Sequence, residues 1–112
     1  MKILREGHRY ELANFENKEA KGQEIQFIEK EVCTLKNESD TTFSNTQLVT
    51  VNDGTTNEEV IEVLIDRLQY LNGKFPCREN ALAITKLEES LMWLNKRTAD
   101  RVKRNVEGTN QK

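Results

Sequence analysis

The residues best suited to chemistry in this chain are cations on a long, apolar-periodic stretch. Arg97, Arg101 and Arg104 are spaced four and three apart, so on a helix they share one face. Guanidinium forks in a row bind phosphate oxygens bidentately. The same spacing suits a solvated basic end that complements the helix dipole, and spacing alone leaves both readings open. A second polar group is Arg78-Glu79-Asn80, with Tyr70 a few residues upstream. Asn pairs with a purine edge and Tyr stacks on a base face. The alternative is a cluster that caps a helix and closes a hairpin.

Catalytic constellations come up short. His8 is the one histidine, and a lone histidine in a strand pattern reads as a surface residue. There is no Ser/His/Asp set, no glycine-rich phosphate loop and no zinc-type spacing. Glu88 and Glu89 are adjacent, so on a helix they point apart and form no carboxylate pair. The acid, base and nucleophile roles cannot be filled, and the chain reads as a binder. Cys33 and Cys77 are two free thiols of a reducing cytoplasm. Cys77 falls at a helix start, where a thiol pKa can drop; a buried structural thiol is expected there.

Two helices must position the polar groups. Thr56-Asn57-Glu58-Glu59 fits a capping box, and the helix it opens runs to about Leu71, with Val60, Ile61, Leu64, Ile65, Leu68 and Leu71 on a broad apolar face. Asn72-Gly73-Lys74 ends it. The stretch Phe75 to Arg104 then reads as one long helix, opened by Pro76 and stopped by Gly108. So short a link makes the pair an antiparallel hairpin. The second helix outruns the first, and its overhang holds Lys96, Arg97, Arg101, Lys103 and Arg104 against Asp100. Ile84, Leu87, Leu91 and Leu94 form a coiled-coil-like seam. Leu82, Met92 and Trp93 fall outside it and call for a further partner, the sheet or another copy of the chain.

Upstream, residues 2–52 read as strands. His8 to Leu12 and Glu24 to Phe27 alternate polar and apolar, with Asn17 to Gly22 as the turn between them. Gln47 to Val51 is a third candidate, after a polar loop from Lys36 to Asn45. Together they predict one small antiparallel sheet, which needs something to pack on. The fold class is α+β: residues 1–52 form a β-sheet region and residues 53–112 a helical hairpin domain. Across 112 residues, charged side chains make up 32% and the net charge is -2. That balance gives no general attraction to DNA or to an anionic membrane, and no window has the roughly 20 apolar residues of a membrane span.

The string from Pro76 to Asn95, PCRENALAITKLEESLMWLN, resembles the helical hairpin shared by phage anti-Thoeris and anti-CBASS signal sponges. Asp53 to Val60, Asp66 to Asn72 and Val106 to Thr109 extend the resemblance over about half the chain. The N-terminal strands point to the anti-Thoeris branch, since anti-CBASS sponges are nearly all helical. The resemblance implies a phage protein acting in the cytoplasm of the infected host. It would sequester TIR-produced cyclic ADP-ribose isomers without cleaving them. It implies no cofactor, a homo-oligomer from dimer to hexamer with pockets between subunits, and for some members cyclic di- or trinucleotides at separate sites. It places nucleobase contacts on Tyr70 and Asn80 and phosphate contacts on Arg97 and Arg101, with Arg104 beside them. Arg5, Arg9 and Arg78 are further ligand candidates. The competing expectation is an oligomeric interaction module that acts on a host protein; a weaker one is nucleic-acid binding through the basic overhang.

Overall fold

The computed structural model describes residues 1–35 and 45–103. Arg104, Gly108 and most of the polar loop from Lys36 lie outside the described residues. The chain divides into two compact units, one of residues Met1–Thr55 and one that starts at Thr56 and carries both helices. The order is five strands and then two helices, the α+β class that the sequence predicts.

Three strands build the first sheet: β1 (Lys2–Arg5), β2 (Arg9–Leu12) and β3 (Gln23–Gln26), antiparallel in that order. Register sets its two faces. Ile3 lies opposite Tyr10 and Tyr10 opposite Ile25, so one face is apolar, and the Tyr10 ring meets Phe27 edge-on at 6.0 Å. The other face is charged. Glu11 lies opposite Glu24, a repulsive placement, and cations offset it: Lys2 sits 3.7 Å from Glu11 and Arg9 sits 2.5 Å from Glu24. The β1–β2 turn needs Gly7, whose φ of 78° is open to glycine at little strain. His8 ends that turn and is half-buried rather than on a strand surface; its carbonyl accepts the Phe27 N–H at 2.7 Å.

The third strand candidate does not join this sheet. It is part of β5 (Asn45–Asn52), which pairs antiparallel with β4 (Glu29–Leu35) in a separate two-stranded ribbon. Two ties anchor the base of the ribbon. Thr55 bonds across the chain, its N–H to the Gln26 carbonyl and its carbonyl to the Ile28 N–H, both at 2.9 Å. Gly54 permits that approach: a Cβ there would stand 2.3 Å from the Gln26 carbonyl oxygen. The second tie is Glu29, described below. Asp53-Gly54 thus acts as a close-packed joint and not only as a turn.

In the second unit, α1 (Asn57–Lys74) starts at Thr56, whose hydroxyl accepts the Glu59 N–H at 3.2 Å. That is half of the expected capping box. The helix continues past Leu71 to Lys74, because Gly73 is tolerated in a last turn and the Phe75 N–H still reaches the Leu71 carbonyl. Helix α2 (Arg78–Lys103) opens two residues after Pro76. The proline lies just before the cap and not inside the first turn. On α2 the covered positions are Asn80, Ile84, Leu87, Leu91, Leu94, Thr98 and Arg101, a strict alternation of four and three that suits a supercoiled seam. On α1 they include Glu58, Ile61, Ile65, Leu68 and Asn72. Among the described residues Ile84 is the one buried apolar residue, at 9% exposure. A half-covered Leu contributes roughly 1 kcal/mol, so the seam holds the hairpin together with little to spare.

Candidate functional site

At its closed end the hairpin is fastened by side chains. The Asn72 carboxamide oxygen accepts the Cys77 N–H at 3.0 Å, and the Cys77 Sγ accepts the Asn80 N–H at 3.4 Å. The Cys77 carbonyl takes the first intrahelical bond, from Ala81. Cys77 is therefore the N-cap of α2, its thiol standing where Ser or Thr usually stands. It is free and exposed, which corrects the expected buried thiol: first-turn N–H groups open toward water, and a cap must sit with them.

Capping accounts for the backbone of Asn80 and leaves its side chain over. Among the described residues no hydrogen bond engages the Asn80 carboxamide, which is half-buried on the seam line. Arg78 beside it is exposed and forms no ion pair among the described residues. Tyr70 is 56% exposed, and the Lys74 ammonium lies 4.7 Å from its ring centroid, a cation–π contact. An aromatic ring, an amide and two cations thus sit at the closed end. They fit the chemistry of a base and a phosphate.

The open end is different. Toward its C-terminal end α2 keeps Thr98 half-covered and Arg101 buried, with Lys96, Arg97 and Asp100 exposed. Lys96 lies 3.8 Å from Asp100 and 5.8 Å from the Trp93 centroid. Trp93, Lys96, Arg97 and Asp100 line a shallow hollow of about 240 Å³. Arg97 is exposed there, with no ion pair among the described residues. Arg101 shares its spacing but not its surroundings: it is buried, at 6% exposure, and already engaged. Only Arg97 of this pair offers its guanidinium to solvent.

Arg9 and Arg5 belong to the β unit, and both are engaged. Arg9 donates to Glu24 and holds that carboxyl below its usual pKa. Arg5 donates twice to Glu29, from Nε and Nη2, both at 2.6 Å, and Asn52 adds a third bond at 3.1 Å. Glu29 is 3% exposed. Its pKa falls to about 2, chiefly through the Arg5 hydrogen bonds, against the opposing pull of burial. This clasp joins β1, β4 and β5, and no local pattern in the sequence points to it.

The structure therefore brings Tyr70, Arg78 and Asn80 to one end of the hairpin and leaves Arg97 at the other. Asn80 and Arg97 lie roughly 25 Å apart along α2, farther than one small nucleotide reaches. No described helix is long and apolar enough to cross a membrane.

Comparison with known proteins fixes the lineage. A family model described as Acb2/Tad1, hairpin domain, matches residues 36–99. A curated relative, Thoeris anti-defense 1 of Bacillus phage SBSphiJ7, is 64% identical over 61 residues, which is 54% of this chain and 43% of the relative. The chain thus matches less than half the length of that relative. The matched segment takes in α1 and nearly all of α2, with the capping and seam residues described above, and the chain belongs to the Acb2/Tad1 hairpin-domain family.

Proposed function

We propose that this protein is a phage anti-defence sponge: it binds TIR-produced cyclic ADP-ribose isomers and withholds them, uncleaved, from the Thoeris effector. The observation that carries the reading is the family match over residues 36–99, which takes in Tyr70, Arg78, Asn80 and Arg97 together. The curated relative's name, Thoeris anti-defense 1, favours this defence system as the target. Tyr70 and Asn80 would contact the nucleobase and Arg78 the pyrophosphate. Arg97 would bind phosphate at a separate place on the rod, where a cyclic di- or trinucleotide fits as well as the main ligand. Since one hairpin cannot bring Asn80 and Arg97 onto one small molecule, copies of the chain would associate, and pockets would be completed between them. Arg101, buried in the single chain, acts as a support for that surface, and Arg9 as a sheet residue.

A sponge works stoichiometrically, so a dissociation constant near nanomolar is required, about -12 kcal/mol. The test is calorimetric titration of the purified chain with a TIR-derived cyclic ADP-ribose, followed by heating and chromatography of the released ligand. Intact ligand at one molar equivalent per pocket supports sequestration. Recovery of a linear product makes the protein a hydrolase, and no heat of binding leaves the interaction with a host protein as the better reading.

A further inference from the structure

The closed end of the hairpin carries a polar side chain that the proposed ligand contacts do not use. Asn72 sits in the last turn of α1, two residues after Tyr70, and is half-buried on the seam. Its carboxamide oxygen accepts the Cys77 N–H at 3.0 Å. The link between the helices makes this bond matter. Helix α1 gives out at Phe75, whose N–H reaches the Leu71 carbonyl at 2.9 Å. Phe75 then turns to φ -133° and ψ 80°, as a residue before proline tends to do. Pro76 has no N–H to offer. Among the described residues, the next backbone N–H to find a backbone carbonyl is that of Ala81, on Cys77, at 3.2 Å. Side chains bridge the gap between: Asn72 takes the Cys77 N–H, and the Cys77 thiol takes the Asn80 N–H at 3.4 Å.

This relay joins the two halves of the site. Tyr70 stands on α1, and Arg78 and Asn80 stand in the first turn of α2. A ligand that stacks on the ring and pairs with the carboxamide spans both helices, so its affinity depends on the spacing between them. Apolar packing here is too thin to set that spacing, since Phe75 is 78% exposed. Hydrogen bonds have a length and a direction. The relay begins in the same helical turn as Tyr70 and ends on the backbone of Asn80 itself. It fixes one against the other before a ligand arrives, and order that need not be created on binding raises affinity. It also holds Asn80 by its N–H alone, so the carboxamide stays available.

We propose that Asn72 is a positioning residue of the nucleotide site at the closed end: it touches no ligand, and it acts by fixing the start of α2, with Arg78 and Asn80, against Tyr70. This deepens the proposed function and rests on it. The probe is a TIR-derived cyclic ADP-ribose, titrated into the full-length chain. Asn72→Ala should weaken binding about tenfold, with helicity retained and amide exchange at Cys77 quickened. In an Asn80→Ala background the same change should cost less than about threefold, because residues that act through one another are not additive. Asn72→Asp keeps an acceptor oxygen in the same place, beside a helix N-terminus that favours an anion. It should bind within about threefold of the parent. A parent chain that does not bind the probe overturns the sponge reading, and this inference with it. Where the parent binds, three results overturn the positioning role alone. Asn72→Ala could bind as tightly as the parent or lose its helicity. Its loss could be undiminished in the Asn80→Ala background. Asn72→Asp could bind no more tightly than Asn72→Ala.

Discussion

The β unit and the helical hairpin use their arginines in opposite ways. Arg5 and Arg9 each face a carboxylate at hydrogen-bond distance, and their job is to hold strands together. In the hairpin Arg78 and Arg97 have no such partner among the described residues, and Arg101 is buried and engaged. A guanidinium already in a bidentate pair must break that pair before it can bind a phosphate, whereas an exposed one loses only water. Sequence spacing treats all five alike. The structure separates them into fasteners and available cations, and that division can be tested by mutation.

The largest expected effect is on the available side. Arg97→Ala should weaken the binding of a phosphate ligand by about thirtyfold to a hundredfold, since a hydrogen bond to a charged group is worth roughly 2–3 kcal/mol. Its melting midpoint should not change. Arg9→Ala should change affinity by less than about threefold and lower the stability of the β unit. Titrations with a cyclic ADP-ribose and with a cyclic trinucleotide, beside thermal melts, read both variants. If Arg9→Ala lost the ligand and Arg97→Ala did not, the contrast between the units would be wrong.

Gly54→Ala comes next and acts on the β unit alone. Its new Cβ would stand 2.3 Å from the Gln26 carbonyl oxygen, so the Thr55 joint must open. Overpacking against backbone costs about 1–3 kcal/mol. Denaturant titration should show the loss in the β unit, with hairpin helicity retained. Equal loss of both signals would mean that the units do not fold separately. Asn80→Ala should follow, at about tenfold in ligand affinity, with little effect on the melt, because its backbone N–H and not its carboxamide serves the cap.

How much of this was legible beforehand depended on the range of the interactions. The hairpin could be read because its signals are local: Thr56 and Glu59 lie within one turn, and the spacing of Ile84, Leu87, Leu91 and Leu94 states which side is covered. The split of the strands into a sheet and a ribbon could not. It rests on Arg5 reaching Glu29 and on Thr55 reaching Gln26, contacts between residues far apart in the chain. Lys30-Glu31-Val32-Cys33 also lacks the alternation that would have marked β4. The candidate site shows the same limit. Spacing put Arg97 and Arg101 on neighbouring turns, but what covers one and not the other is tertiary. The sequence puts the Cys77 thiol at a helix start, but its capping role rests on the geometry of the Asn80 N–H.

The smallest expected effect separates the units by pH. Glu29 has a pKa near 2 in the folded chain against an ordinary 4.5, so the folded β unit holds it ionised where the unfolded chain would take up a proton. A depressed acid stabilises the fold fully above its ordinary value and loses that contribution as pH falls toward the folded value. The β unit should therefore weaken as pH drops from about 5 to about 2, and amide exchange at Phe27 and Thr55 should quicken in that window. The hairpin carries exposed pairs such as Lys86 with Glu89, at 3.9 Å, and surface pairs of that kind contribute little. Exchange in the middle of α2 should stay slow until lower pH. Glu29→Gln keeps the shape and removes the charge, so it should make the β unit weaker at neutral pH and less sensitive to acid than the parent, with Glu24 beside Arg9 supplying the dependence that remains. If the variant kept the parent's acid profile, the clasp would not be the group that titrates, and the contrast between fastening and available charges would have to rest on the mutations alone.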